Sequence, residues 1–546
     1  MNCPSRTWTV FAIAVAALIA TPILFVLSSI FTNSGAVWVH LASTVLPRYI
    51  VNSLILMVGV SIGTIAIGVG TAWLVTACRF PGSRTFEWAL LLPLAIPAYI
   101  LAYVYTEWLE FYGPVQTGLR NLMGWQNVGD YWFPQIRSVG GAIALLTLTL
   151  YPYIYLLVRV SFLEQSGRTL EASRSLGCNP WRSFFTVALP LARPAMMAGL
   201  ALALMETLND FGTVQYFGVD TFTTGIYRTW FGMGEREAAA QLAAVLMLFI
   251  LGLILLELWS RRQAQYYEGS GSASRAQPFQ LGGVRSLGAF FACCLPLALG
   301  FLLPGILLFQ MTLKNLETVF DDRFWNFARH SLTLAILTAI LAVAIALILA
   351  YGVRLNPARG MRLSARIAAM GYAVPGSVIA VGILIPVGAL DNAIDAGMRS
   401  LFGISTGLIF SGTIAALIYA YLVRFLAVSF GAVESSLSKI KPSLDDAARS
   451  LGDSPSRTLI RVHAPLMGGG LLTAAMLTFV DVMKELPATL VIRPFNFDTL
   501  AVRVYNLASD ERLAEAAGPA LAIVAVGIIP VIFLSWKIAR SRHHSL

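Results

Sequence analysis

The amino-acid sequence predicts an all-α integral membrane protein, with about twelve transmembrane helices arranged as two parallel six-span repeats. Three observations predict this fold class. The 546 residues are 57% hydrophobic and only 12% charged, whereas soluble domains carry about 25% charged residues. Apolar runs of about 20 residues, the length that crosses a bilayer, recur along the whole chain. A polar segment also occurs twice, with an offset of 275 residues.

The apolar runs predict twelve spans, whose ends are uncertain by a few residues. They lie at 8–30, 52–77, 86–108, 139–160, 192–212, 238–259, 286–310, 330–352, 367–390, 407–430, 467–490 and 516–536. If the first span starts in the cytoplasm, the cytoplasmic segments carry about twice as many Lys and Arg residues as the outer ones. This is the positive-inside rule, and it predicts that both termini are cytoplasmic.

The net charge of +10 follows this membrane asymmetry, so nucleic-acid binding is not expected. The five cysteines include no C-x-x-C pair, which argues against a disulfide framework or a zinc site. No cofactor is predicted.

A linker divides the chain into similar halves. The Gly- and Ser-rich run E-G-S-G-S-A-S-R-A-Q-P is typical of a flexible connection. We predict a first transmembrane repeat at 1–260, a cytoplasmic linker at 261–285 and a second repeat at 286–546. Similar stretches follow the same order in both halves, and each half has an even number of spans, so the repeats are parallel.

The repeated polar segment predicts a helix, a glycine turn and a second helix. It reads E-A-S-R-S-L-G-C-N-P-W-R at 171–182 and D-A-A-R-S-L-G-D-S-P-S-R at 446–457. Ser443 and Asp446 have the spacing of a capping box, and the glycine of each copy is placed for a left-handed C-cap. Asn179-Pro180 and Ser454-Pro455 pair a capping residue with a proline at the first helical position. Pro190 and Pro465 are expected to break the chain before the next span.

This segment resembles the cytoplasmic "EAA" loop of bacterial ABC-importer permeases of type I. In that family the loop forms the coupling helix that sits in a cleft of the ATP-binding subunit. The resemblance covers nearly the whole chain, twice. Ser173 replaces the second alanine of the motif, and Asp446 replaces its glutamate. The coupling residues that the resemblance implies are Glu171, Ala172 and Gly177 in the first copy and Asp446, Ala447 and Gly452 in the second.

The resemblance also implies partners. No G-x-x-x-x-G-K-[ST] motif is present, so ATP hydrolysis belongs to separate subunits and this chain is not itself an enzyme. We expect two ATPase subunits, most simply a homodimer, with one docked at each loop. A periplasmic or surface-tethered binding protein would deliver the substrate, and membrane lipid surrounds the chain. The expected location is the bacterial cytoplasmic (inner) membrane.

The substrate prediction rests on similarity to the ferric-iron group (FbpB/SfuB type) of fused twelve-span permeases. The stretches 206–231 and 481–505 carry that similarity. Glu206 and Asp210 are four residues apart and are expected to share one helix face, as are Asp481 and Glu485. Ionisable groups within spans are functional candidates, and Fe(III), a hard cation, takes oxygen ligands. These four carboxylates are therefore candidates for the translocation path, with transient contacts to Fe(III).

Alternatives remain open at this stage. The four acids also fit a position near the outer interface, solvated or paired with Lys484 and Arg228. Thiamine, polyamines and other small solutes are rival substrates for an ABC permease. A secondary transporter driven by an ion gradient is a rival from another class, although it would not need two matched cytoplasmic loops. His330 takes the place of Asn52 in the repeat and is expected to be a helix cap.

Overall fold

A computed structural model describes residues 4–32, 35–164, 179–262 and 279–543. Most of this part of the chain is α-helical, as predicted. The helices are Pro4–Ser28, Gly35–Thr44, Leu46–Ala77, Ser83–Ala89, Ala98–Leu109, Pro114–Met123, Val139–Glu164, Pro180–Ser183, Leu189–Asn209, Gly212–Tyr216, Phe222–Tyr227, Arg236–Arg262, Gly283–Leu297, Leu303–Lys314, Leu316–Val319, Asp322–Leu355, Arg359–Ala368, Gly376–Phe402, Ile414–Leu437, Ser443–Ser450, Pro455–Thr458, Ala464–Leu466, Gly468–Met483, Pro487–Ile492, Leu500–Ser509 and Leu513–His543.

Shorter elements connect these helices. Two strands, Cys78–Arg79 and Phe279–Gln280, pair in parallel with Cys78 opposite Phe279. Four segments form 3₁₀ helix, at Ser29–Phe31, Leu92–Ala95, Val128–Asp130 and Gly371–Ala373. Four others form π-helical turns, at Phe184–Ala188, Arg228–Gly232, Ala298–Leu302 and Leu459–His463.

The predicted spans are confirmed within the described residues. Ten helices there are long and apolar enough to cross a membrane. Two bent pairs raise the number to as many as twelve: Ser83–Ala95 with Ala98–Met123, and Pro455–Leu466 with Gly468–Met483. The bends measure 89° and 81°. Each of the twelve predicted spans coincides with one of these helices or pairs.

The third and ninth predicted spans are each interrupted at a proline. Pro97 and Pro375 are the N-cap residues of the Ala98–Leu109 and Gly376–Phe402 helices. The prolines therefore separate two helices and do not kink one continuous helix. A proline lacks the N–H that an interior helical position needs, while the start of a helix needs no such donor.

The chain packs into two compact units that do not follow the order of the sequence. One unit contains residues 1–40, 225–247 and 320–506, and the other contains 41–224, 248–319 and 507–546. In the first unit the N-terminal helix packs against Asp322–Leu355, Arg359–Ala368 and Gly376–Phe402. In the second unit Leu513–His543 packs against Leu303–Lys314 and Leu92–Ala95. The repeats predicted at 1–260 and 286–546 describe sequence similarity, whereas each packing unit combines segments from both halves.

Candidate functional site

The second copy of the repeated loop forms a short helix followed by a glycine turn. The helix is Ser443–Ser450, and Gly452 has a φ of 85°. The N–H groups of Gly452 and Asp453 donate to the carbonyls of Arg449 and Ala448, each at 3.0 Å. This is the Schellman arrangement, which satisfies the last carbonyls of a helix. The predicted left-handed glycine is therefore confirmed in this copy.

A capped helix follows the glycine turn. The Ser454 Oγ accepts a hydrogen bond from the Arg457 N–H at 3.4 Å, and Pro455 takes the first helical position. In the first copy the Asn179 Oδ1 accepts a hydrogen bond from the Arg182 N–H at 2.8 Å. The predicted capping residues are thus confirmed in both copies.

The capping box predicted for Ser443 and Asp446 is wrong. The N-cap is Pro442, which already has helical backbone angles of −59° and −26°, and no side chain caps this end. A capping serine needs an extended backbone before the helix starts. Ser443 is the first residue of the helix, so it cannot act as the N-cap.

The breaks predicted at the two later prolines have different outcomes. Pro465 lies two residues before Met467, where the chain turns by 81° between two helices. Pro190 breaks nothing, because one helix runs from Phe184 to Asn209. A π-helical turn precedes the proline in both copies, at Phe184–Ala188 and at Leu459–His463. The altered hydrogen-bond pattern of such a turn can accommodate a proline without ending the helix.

One face of the Ser443–Ser450 helix is exposed. The Asp446 side chain is 71% exposed, Ala447 is also exposed, and Leu451 just beyond the helix is 85% exposed. On the opposite face Ala448 is buried. Glu171, Ala172 and Gly177 of the first copy lie outside the described residues. The helix of the second copy therefore presents its predicted coupling residues outward.

The inward face of the same helix is held by Asp445. Its Oδ2 accepts hydrogen bonds from Arg354 Nη2 at 2.6 Å and Nε at 2.9 Å. Its Oδ1 lies 2.7 Å from His463 Nε2. Burial raises the pKa of Asp445, but the hydrogen bonds from Arg354 and His463 outweigh it and hold the pKa below its ordinary value. Asp445 thus remains a carboxylate and accepts from both partners.

Glu206 and Asp210 do not share one helix face, contrary to prediction. The helix ends at Asn209, and Asp210 continues in an extended conformation. Asp210 accepts hydrogen bonds from the Thr213 hydroxyl at 2.9 Å and the Val214 N–H at 3.1 Å. It therefore caps the next short helix. Glu206 stays on the spanning helix, with the Asn209 amide 3.5 Å from its carboxylate.

The second half repeats this arrangement with Asp481 and Glu485. The spanning helix ends at Met483, so Glu485 lies beyond it and the predicted common face is wrong here too. The Glu485 Oε1 accepts from the Ala488 N–H at 3.0 Å, capping the helix that follows. Asp481 remains on the spanning helix and pairs with Lys484 at 2.9 Å, a pairing that the alternative interpretation included.

Glu485 also forms a buried ion pair. Its Oε2 lies 2.7 Å from Arg424 Nη1, and both side chains are only 5% exposed. Gly376 leaves room for this pair, because a Cβ there would lie 2.5 Å from Glu485 Oε1 and 2.9 Å from Arg424 Nη1. Glu485 therefore has its charge balanced inside the fold.

In both halves, one end of a span is bonded to the loop before a later helix. Asn52 donates to the Asp220 carbonyl at 2.8 Å. His330 Nδ1 lies 3.0 Å from the Asp498 carbonyl, and its ring stacks on Phe497 with centroids 4.0 Å apart. The prediction that His330 caps a helix is wrong, since that helix starts at Asp322. The shared position of the two residues instead reflects a shared contact with the loop.

Sequence reasoning missed the set Arg354, Asp445 and His463. A signal was present, because Asp445 lies beside the motif residue Asp446 and Arg354 follows a long apolar run. Nothing in the sequence shows that the three side chains meet, because Arg354 and Asp445 are 91 residues apart.

Comparisons with known proteins agree with this architecture. Residues 64–262 match the family described as the inner membrane component of binding-protein-dependent transport systems. The Fe(3+)-transport system permease protein FbpB 2 of Haemophilus influenzae is 28% identical over 491 residues, which is 88% of each chain. The ferric transport system permease protein FbpB of Actinobacillus pleuropneumoniae is 23% identical and covers 91% of this chain and 72% of its own. The molybdenum transport system permease protein ModB of Escherichia coli is 25% identical but covers only 36% of this chain.

The helices, the loops and these similarities define a multi-pass permease subunit of the inner membrane. Residues 64–262 thus resemble the family of inner-membrane components of binding-protein-dependent transport systems, and most of the chain resembles a ferric-iron permease. Permeases of this family work with an ATPase and a substrate-binding protein, and the permease subunit is not an enzyme.

Proposed function

We propose that this chain is the permease subunit of an ATP-driven importer that moves ferric iron across the bacterial inner membrane. The observation that carries the proposal is similarity along nearly the whole length. The ferric-iron relative of Haemophilus influenzae aligns over 88% of this chain and 88% of its own. The molybdenum relative ModB of Escherichia coli is a shorter protein, which aligns over 86% of its own chain and 36% of this one.

Coupling to the ATPase is assigned to the two repeated loops. The exposed Asp446 and Leu451 support docking at the second loop, since both side chains are open to a partner. Glu171, Ala172 and Gly177 are proposed to play the same part in the first loop, as Ala447 and Gly452 do in the second. Two ATPase subunits, most simply a homodimer, would bind one at each loop on the cytoplasmic side, where both termini also lie.

The path residues divide into two pairs by their contacts. Glu206 and Asp481 remain on the spanning helices and are proposed to make transient contacts with Fe(III), a hard cation that favours oxygen ligands. Asp210 and Glu485 cap the short helices that follow. These two are proposed to shape the path by holding those helices in place. Weak contacts suit this task, because a transit site must release its ion.

The proposed mechanism is alternating access. ATP-driven closure of the two ATPase subunits draws the coupling loops together, and the halves open outward against a loaded binding protein, periplasmic or tethered to the surface. Hydrolysis returns the halves to the inward-open state, and the ion leaves to the cytoplasm. This chain contributes the path and the two loops, embedded in membrane lipid, while the chemistry occurs on the ATPase.

The test is uptake of radiolabelled Fe(III) in cells that lack the chain and in cells to which it is restored. Gly177→Leu and Gly452→Leu are compared with Gly431→Leu, a matched control whose Cβ meets open space in a helix. We expect uptake to return with the wild type and the control and to fail with both loop variants at equal membrane abundance. Normal uptake by the loop variants would contradict the coupling assignment.

The same cells distinguish the rival substrates and the rival class. Loss of thiamine or polyamine uptake with unchanged iron uptake would keep the importer and overturn the substrate. Iron uptake that survives ATP depletion while an ion gradient remains would indicate a secondary transporter.

A further inference from the structure

We propose that Arg354, Asp445 and His463 form a polar clamp that positions the second coupling helix, and that the first copy lacks the residues that form it. The clamp is the set of these three side chains. The proposal rests on the coupling role assigned above to the Ser443–Ser450 helix. It adds a difference between the two loops that their similar motifs do not show: the clamp residues occur in the second copy alone.

One guanidinium joins three segments of backbone. Besides its two bonds to Asp445, Arg354 donates through Nη1 to the Leu437 carbonyl at 2.8 Å and through Nη2 to the Ile440 carbonyl at 2.9 Å. The end of one spanning helix, the turn after it and the coupling helix are thus held by the last turn of the Asp322–Leu355 helix. The planar fork of an arginine suits such multiple contacts, which a lysine cannot reproduce.

His463 completes the clamp from the other side. It is the last residue of the π-helical turn that follows the loop, and it is 0% exposed. Because the Asp445 carboxylate only accepts, the Nε2 of His463 carries the hydrogen of the 2.7 Å contact. The imidazole also packs against Tyr351, one turn before Arg354, with ring centroids 5.1 Å apart. Asp445 therefore links the Asp322–Leu355 helix, through Arg354, to the π-helical turn after the loop.

The first copy lacks all three residues. The loops align at an offset of 275 residues, which places Leu170 opposite Asp445 and Ala188 opposite His463. The span before each loop aligns at 278, as Asn52 and His330 do, which places Thr76 opposite Arg354. Ala188 ends the corresponding π-helical turn and is buried. The motif is thus duplicated, while the three clamp residues occur in the sequence of the second copy and not at the aligned positions of the first.

A clamp of this kind has a mechanical consequence. The coupling helix and the end of the Asp322–Leu355 helix move together as long as the four hydrogen bonds of Arg354 persist. Removing Arg354 leaves a partly buried carboxylate without its main partner, which is costly. The coupling helix should then move independently, and ATP hydrolysis should no longer be transmitted efficiently through that loop.

The test uses the full-length chain with Arg354→Gln, Asp445→Asn, the double variant, and Arg79→Gln as a control that replaces an arginine outside the clamp. Hydrogen exchange of the 443–450 segment is measured first, and it needs neither iron nor ATPase. We expect exchange roughly tenfold faster in both single variants, because the helix opens locally more often. The double variant should be faster than either single variant by less than the product of their effects, because both singles break the Arg354–Asp445 bonds. Arg79→Gln should match the wild type.

The second readout is the ratio of ATP hydrolysed to Fe(III) imported by the complete transporter in vesicles. We expect the ratio to rise at least about threefold in Arg354→Gln. In His463→Gln the ratio should stay near the wild-type value, because glutamine keeps a donor for Asp445. Unchanged exchange at 443–450 would overturn the clamp. A parallel fall of hydrolysis and import, with a constant ratio, would overturn its coupling role. If the wild-type chain imports no Fe(III), the proposed function fails, and the exchange experiment still decides on the clamp.

Discussion

At the scale of single residues, two acids inside this membrane protein are each stabilised by an arginine. Arg354 satisfies Asp445 and two backbone carbonyls, and Arg424 satisfies Glu485. A carboxylate without a partner is expensive in either place. The contacts around each acid therefore distinguish residues that hold the fold from residues that remain candidates to meet the substrate.

The lowered pKa of Asp445 predicts how stability depends on pH. A carboxyl whose pKa is lower in the folded state stabilises the fold above its unfolded pKa of about 4 and loses this contribution as the pH falls through the folded value. We expect the melting temperature of purified wild-type protein to exceed that of Asp445→Asn by a constant margin above about pH 5, and the margin to shrink below about pH 4. A margin that persists unchanged to acid pH would contradict this assignment. Arg354, His463, Tyr351 and Arg449 are the other titratable groups near Asp445, and they are present in both proteins.

Gly376 provides a second prediction at this scale. A methyl group there would meet both members of the Arg424–Glu485 pair and lie 3.0 Å from the Ala488 nitrogen. We expect Gly376→Ala to destabilise the protein by about 2 kcal/mol or more, because the buried pair must shift. Gly388→Ala on the same helix is the matched control, since its Cβ meets open space. Equal thermal unfolding of the two variants in detergent would contradict the prediction.

At the scale of elements, the glycine turn after the Ser443–Ser450 helix depends on backbone angles and not on space. Gly452 has a φ of 85°, yet a Cβ there would touch nothing within 4 Å. An L-residue in this conformation costs about 1–2 kcal/mol. We expect Gly452→Ala to speed hydrogen exchange of the 443–450 segment several-fold. Gly431→Ala, in an ordinary helix, should leave that segment unchanged or stabilise its own helix slightly. Identical exchange in the two variants would show that the turn does not hold the helix end.

Sequence patterns predict elements well where the cause is local. The spans follow from runs of apolar side chains, and the turn at Gly452 follows from a residue that tolerates positive φ. The shared helix faces of Glu206 with Asp210 and of Asp481 with Glu485 were wrong, because each helix ends between the two acids. Helix ends inside an apolar stretch depend on partners such as the capped helix after Asp210, and such partners are distant or weakly marked in sequence.

At the scale of the whole molecule, the two packing units each require both halves of the chain. The N-terminal helix packs in the unit that holds residues 320–506, and the Gly283–Lys314 span belongs to the other unit. The similarity of the two sequence halves does not reveal that each packing unit contains helices from both. All spans are similarly apolar, and helix association within lipid depends on close packing of particular surfaces.

This arrangement predicts the behaviour of a divided chain. We expect residues 1–270 and 271–546, expressed separately, to be degraded or to aggregate, because each half lacks packing partners for some of its helices. Co-expression of the two halves should restore a stable, co-purifying complex. A single half that purifies alone, with a cooperative thermal transition, would show that the units do not need both halves.

The placement of the N-terminal helix also implies a delay between its synthesis and its packing. Its packing partners begin at residue 322 and extend to residue 402. At translation rates of about 5–20 residues per second, the first span waits on the order of tens of seconds before those partners have been synthesised. During that interval lipid and the insertion machinery are its surroundings. The absence of any charged residue between Thr7 and Thr32 allows this helix to persist alone in the bilayer until the rest of its unit arrives.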